Sequence, residues 1–137
     1  MDGFQTTLQR PVSFVGVGLH SGRTAKLEVL PAKADTGIRF LRTDLPDAAP
    51  IVAEAAAIGS TDLSTCLKSG RYVVQTVEHL LAALVGVGVD NALVRLDGPE
   101  VPIMDGSAAP FLEGFRRVGL ARLKGFRRLF LVKKPFE

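Results

Sequence analysis

Two hydrophobic periods alternate along this chain, and together they fix its fold class. Ala25, Leu27 and Val29 alternate with Thr24, Lys26 and Glu28, the period of two that marks a half-buried strand. Val77, Leu80, Leu81 and Leu84 instead stand at i, i+3, i+4 and i+7, one apolar stripe of a helix ending near Gly86 or Gly88. Phe111, Phe115 and Val118 repeat the helical spacing. Asp105 or Ser107 serves as cap, Pro110 falls in the first turn and Gly119 sits at the C-cap. Ser13–Gly18, Ile38–Arg42 and Asn91–Leu96 read as further strands, and Leu129–Val132 as the opening of another. Ile51–Ile58 stays ambiguous between helix and short strand, and Ser60–Leu67 reads as a loop running into a strand. Glu100–Met104, between Pro99 and Pro102, reads as extended. This order predicts an α+β, two-layer domain, a mixed and mostly antiparallel sheet packed on two helices.

A chain of 137 residues with 47% apolar and 23% charged side chains can bury a core of its own. Its start lacks the basic-then-apolar pattern of a secretory leader, and no run approaches the ~18 apolar residues of a membrane span. Cys66 is the single cysteine, so no internal disulfide forms, which suits a reducing cytoplasm. The net charge is +3, with Arg116, Arg117, Arg122, Lys124, Arg127, Arg128, Lys133 and Lys134 crowded near the C-terminus. Such a tail could draw nucleic acid, an anionic membrane or a diphosphate substrate, but the favoured reading is a solvated surface with acidic partners elsewhere. Without tryptophan, and without basic and aromatic residues interleaved, it does not read as a nucleic-acid module.

The chemistry-bearing motif is Gln75-Thr76-Val77-Glu78-His79-Leu80-Leu81, in a chain with two histidines. On a wheel of about 100° per residue His79 points away from the apolar stripe, beside Ala82 and Ala83, with Glu78 on the flank. Thr76 as N-cap places both in the first turn, where the helix dipole keeps Glu78 ionised and His79 neutral. Those are the forms that take a proton from a metal-bound water and ligate zinc. The bland alternative is an imidazole bonded to a nearby carbonyl. The spacing matches neither H-E-x-x-H nor its inverse. His20 falls in a turn, where it is expected to cap backbone groups. Asp62, Asp97 and Asp105 are further oxygen donors, and Cys66 reads as a small buried hydrophobe.

The chain resembles the N-terminal half of the UDP-3-O-acyl-N-acetylglucosamine deacetylase family. The matching words are Gly16-Val17-Gly18-Leu19-His20-Ser21-Gly22, Arg42-Thr43-Asp44-Leu45, Thr65-Cys66-Leu67, Thr76-Val77-Glu78-His79-Leu80, Asp90-Asn91, and Pro99-Glu100-Val101-Pro102-Ile103-Met104-Asp105-Gly106-Ser107-Ala108. The resemblance implies two similar α+β domains with the active site between them. Residues 1–124 form the first, and 125–137 open a second that supplies the remaining zinc ligands, a general acid and most of the acyl passage. It implies Glu78 as general base, His79 as one ligand of a Zn2+ ion, and Leu63, Ser64 and Thr65 against substrate. Ser64 stands where relatives often carry cysteine. The implied reaction is hydrolysis of the acetamide of UDP-3-O-acyl-N-acetylglucosamine to release acetate, in lipid A biosynthesis. No histidine follows position 79, so this half alone is expected to be inactive. The alternative is a non-catalytic module that binds a nucleotide sugar or a partner domain.

Overall fold

The structure, a computed structural model, describes residues 3–134. Its main layer is a five-stranded sheet built from β2 (Val12–Val17), β3 (Thr24–Pro31), β4 (Ile38–Arg42), β5 (Ile51–Val52) and β9 (Ala92–Leu96), in the order β2-β3-β9-β4-β5. The β4–β9 pair is parallel and the other pairs are antiparallel. Val12 and Phe14 on β2, Leu27 and Val29 on β3, Phe40 on β4 and Val94 and Leu96 on β9 bury one face. Two ten-residue helices, α1 (Glu78–Val87) and α2 (Ala109–Val118), pack against each other, and their Leu80, Leu84, Phe111 and Phe115 join the same core. The α+β architecture and mixed, mostly antiparallel sheet are as expected.

Phe14 meets Phe111 and Phe115 edge to face, with centroids 4.8 and 5.9 Å apart. This approach depends on Gly114, where a Cβ would lie 2.7 Å from Phe14 Cε1. The helix amphipathicity thus needs a gap in its own stripe to seat the ring.

Two smaller sheets flank the main one. β6 (Ile58–Ser60), β7 (Cys66–Ser69) and β8 (Tyr72–Val74) form an antiparallel three-stranded unit, preceded by a single 3-10 turn at Ala55–Ala57. The ambiguous segment 51–58 therefore splits into strand, turn and the first residue of the next strand. β1 (Phe4–Leu8) pairs with β10 (Leu120–Phe126), a ladder the sequence did not announce. β10 carries on past Lys124 to Phe126, and Arg127 closes it onto Asp90 at 2.9 Å. Leu129–Val132 forms no strand and stands exposed, which corrects that expectation. A strand needs a neighbouring edge for its backbone groups, and no described segment offers one there.

Candidate functional site

α1 begins at Glu78, but not by the route the sequence suggested. Thr76 is no N-cap: the cap residue is Val77, which makes no side-chain capping bond. Thr76 has φ +59°, a left-handed backbone for a β-branched residue, at a cost of about 1–3 kcal/mol. Its hydroxyl is directed away from the helix, donating to Glu100 Oε1 at 2.8 Å. The strand side of the same turn is tied to the Pro99–Pro102 segment by Gln75 N–H to Pro99 O (2.8 Å) and Val101 N–H to Gln75 O (3.1 Å). Ile103 N–H in turn donates to Val17 O at 2.9 Å, which docks the segment on β2.

His79 is 9% exposed, so its expected outward position is corrected. The reason is α2, which packs beside α1 on the same core. The Phe111 ring meets the imidazole edge to face at 5.2 Å. The open face of α1 instead carries Glu78, Ala82 and Val85. His79 Nε2 lies 2.9 Å from the carbonyl oxygen of Pro102. A carbonyl only accepts, so Nε2 carries a proton, and whenever the ring is neutral the lone pair is on Nδ1. No buried polar side-chain atom is without a partner among the described residues, and Nδ1 of His79 has no hydrogen-bond partner among them, so this nitrogen is not sealed from solvent by them.

Glu78 accepts a hydrogen bond from the Thr65 backbone N–H. Burial pushes its carboxyl up, but the Thr65 N–H, its own N–H, the Thr65 hydroxyl and nearby His79 outweigh this and hold it below the usual range. It is ionised at neutral pH, as the helix dipole also favours. Asp105 is exposed and within electrostatic reach of His79, and its oxygen accepts from the Ser107 N–H and hydroxyl at 2.9 and 2.8 Å. Asp97 accepts from the Lys26 N–H, and Asp62 pairs with Ser60. Among the described residues no three or more His, Cys, Asp or Glu side chains converge as a metal cage.

Beside the turn lies a groove of about 440 Å³ lined by His20, Leu63, Ser64, Cys66, Lys68 and Gln75. Leu63 and Ser64 are on its wall, whereas Thr65 reaches Glu78 instead. Leu63 is 92% exposed with φ +63°, an apolar side chain held out on a strained backbone. Cys66 is buried, its sulfur 3.9 Å from the Ser64 hydroxyl.

The residue the sequence reading missed is Glu100, which is 1% exposed. Its carboxylate takes the His20 N–H at 3.0 Å, the Ser21 N–H at 2.8 Å, His20 Nδ1 at 2.9 Å and the Thr76 hydroxyl. Burial pushes it up, yet the donors from His20, Ser21 and Thr76 win and bring it down to about 2. Gly18 makes room for it, since a Cβ there would collide with the carboxylate. The only available signal was one acid between two prolines in an otherwise apolar run.

Residues 5–137 match the family described as UDP-3-O-acyl N-acetylglycosamine deacetylase. The chain belongs to that family. It is 50% identical over 132 residues to the UDP-3-O-acyl-N-acetylglucosamine deacetylase of Geobacter sp. (strain M21), covering 96% of this chain and 43% of that protein. The enzyme of the same name from Brucella melitensis biotype 2 is 45% identical over 134 residues, covering 98% of this chain and 47% of its own length. The chain thus spans a little under half of these family relatives. No helix among the described residues is long and apolar enough to cross a membrane.

Proposed function

We propose that this chain supplies one half of a zinc-dependent amidohydrolase, with Glu78 as general base and His79 as one metal ligand. The substrate would be UDP-3-O-acyl-N-acetylglucosamine, the products acetate and the deacetylated amine that keeps its 3-O-acyl chain, and the setting lipid A biosynthesis in the cytoplasm. The observation that carries the reading is the hydrogen bond from His79 to the Pro102 carbonyl, which leaves Nδ1 bare and accessible in the turn that holds an ionised Glu78. Metal-bound histidines are oriented in this way, by a carbonyl or carboxylate on the second nitrogen.

The residues present fit one corner of a zinc site and no more. His79 would hold the ion through Nδ1, and the other ligands would come from a second domain in the part of the relatives this chain does not span. The bound ion would supply Lewis acidity and lower the pKa of a water. Glu78 then accepts a proton from the attacking water, and its position in the first helical turn keeps it charged until it does. Leu63 and Ser64 would flank the substrate from the groove, and Thr65 holds Glu78 in place through its backbone N–H. By itself the chain would be inactive, because a single imidazole makes a weak zinc site.

The test joins this segment to a second half carrying the missing ligands and assays acetate release. Turnover that depends on zinc, Glu78 and His79 is expected. A well-folded, zinc-loaded assembly without turnover would sink the reading. A non-catalytic role as a binding module would be favoured if the chain instead bound a nucleotide sugar with no second half present.

A further inference from the structure

We infer that Glu100 is a positioning residue for the Glu78–His79 turn, acting through the hydroxyl of Thr76. The inference rests on the reading of Glu78 and His79 as the working pair, but its grounds are geometric. Glu100 is a buried carboxylate with no lysine or arginine against it among its hydrogen-bond partners. A buried charge is retained only where donors surround it, and here they come from two distant parts of the chain. His20 and Ser21 stand 80 and 79 residues away, and Thr76 stands 24 away. The carboxylate therefore staples the turn after β2 to the residue that begins the helix approach.

Thr76 is the mechanically decisive end of this staple. A β-branched side chain avoids positive φ unless its surroundings hold it there. The hydroxyl on Glu100 and the two backbone bonds between Gln75 and the Pro99–Val101 segment do so. With Thr76 turned left-handed, Val77 and Glu78 enter the helix, and His79 comes to lie against Pro102, two residues beyond Glu100. One short segment thus fixes both ends of the pair. Its Glu100 side chain sets the backbone entering Glu78, and its Pro102 carbonyl sets the tautomer of His79. The same carboxylate holds the His20 ring by Nδ1 on the groove wall.

The experiment uses the 137-residue chain without metal, observed by solution NMR, with three variants: Thr76→Val, Thr76→Ser and Glu100→Gln. Gly114→Ala serves as a control that loosens the core elsewhere. In the parent chain Thr76 should show the Cα shift and coupling of positive φ, and the His79 Nε2–H should exchange slowly with water. Thr76→Ser should keep both signatures. Thr76→Val and Glu100→Gln should lose the Thr76 signature, shift the Glu78–Leu81 amides and speed exchange of the His79 ring proton at least several-fold. Gly114→Ala should leave these readouts in place at a comparable loss of stability. If Thr76→Val is folded with His79 exchange unchanged, Glu100 is an ordinary structural acid and the inference falls. Should both substitutions unfold the chain, the parent decides: a right-handed Thr76, or a freely exchanging His79 ring proton, overturns it. Zinc enters none of these measurements, so they can fail while hydrolysis by the joined halves stands, and the reverse also holds.

Discussion

The two helices have equal length and share one core, yet they begin by different physics. α2 starts on the surface with local chemistry. Its cap residue is Ala108, not Asp105 or Ser107 as the sequence suggested, and like Val77 it makes no side-chain capping bond. The neighbouring Ser107 hydroxyl nevertheless accepts the Ala109 N–H at 3.1 Å, Asp105 supports Ser107, and Pro110 sits in the first turn. Everything it needs lies within five residues. α1 starts in the interior with no side-chain cap. It relies on Glu100 holding Thr76, Thr65 holding Glu78 and Pro102 holding His79, contacts 24, 13 and 23 residues apart. A helix that only packs can be begun by its neighbours in sequence. A helix whose first turn holds the proposed site is aimed by tertiary contacts, and strain is tolerated there because the surroundings impose it.

The largest effect that would sharpen this contrast is on turnover. In a protein joined to its second half, Glu78→Gln should lower kcat by about 10²–10⁴ while melting stays near that of the parent. A loss of stability instead, with activity retained, would make the α1 start merely structural. Next comes acid stability. The Glu100 carboxyl stands at about 2 in the folded chain against an ordinary 4.5. A lowered folded value stabilises above 4.5 and loses that contribution as pH falls toward 2. Urea melts should therefore show Glu100→Gln less stable than the parent at pH 7 by about 3 kcal/mol, the gap closing between pH 4.5 and 2. A gap independent of pH would contradict the ionised state.

Smaller effects belong to α2. Gly114→Ala should cost about 1–3 kcal/mol, because the new methyl meets the Phe14 ring. Thermal or urea unfolding reads this directly. Ser107→Ala should cost only about 1 kcal/mol and leave the α1 turn untouched. A larger loss there, with shifts in the Glu78–Leu81 amides, would show that the two helix starts are not independent.

The same contrast explains what could be read from the residues alone. Strand alternation gave β3, and helical spacing with Pro110 and Gly119 gave α2, because these signals are local. Glu78 as an acidic, exposed residue of the first turn was legible too. The inward tilt of His79 was not, since a wheel knows one helix axis and the covering Phe111 comes from another element. Thr76 looked like a cap because threonine before a helix usually is one. Only the buried partner Glu100 redirects its hydroxyl, and nothing in the spacing reports a contact 24 residues away. β1 was missed because Phe4–Leu8 finds its partner β10 across nearly the whole chain.

The most direct test of the account is the protonation pattern of its two imidazoles. Long-range 1H–15N spectra of the chain, recorded where both rings are neutral, separate the tautomers, and with His20 and His79 alone to resolve the assignment is simple. The geometry requires opposite forms, a proton on Nδ1 of His20 facing Glu100 and on Nε2 of His79 facing the Pro102 carbonyl. A proton on Nδ1 of His79 would deny the ring a free ligand atom on its accessible side and contradict the site described.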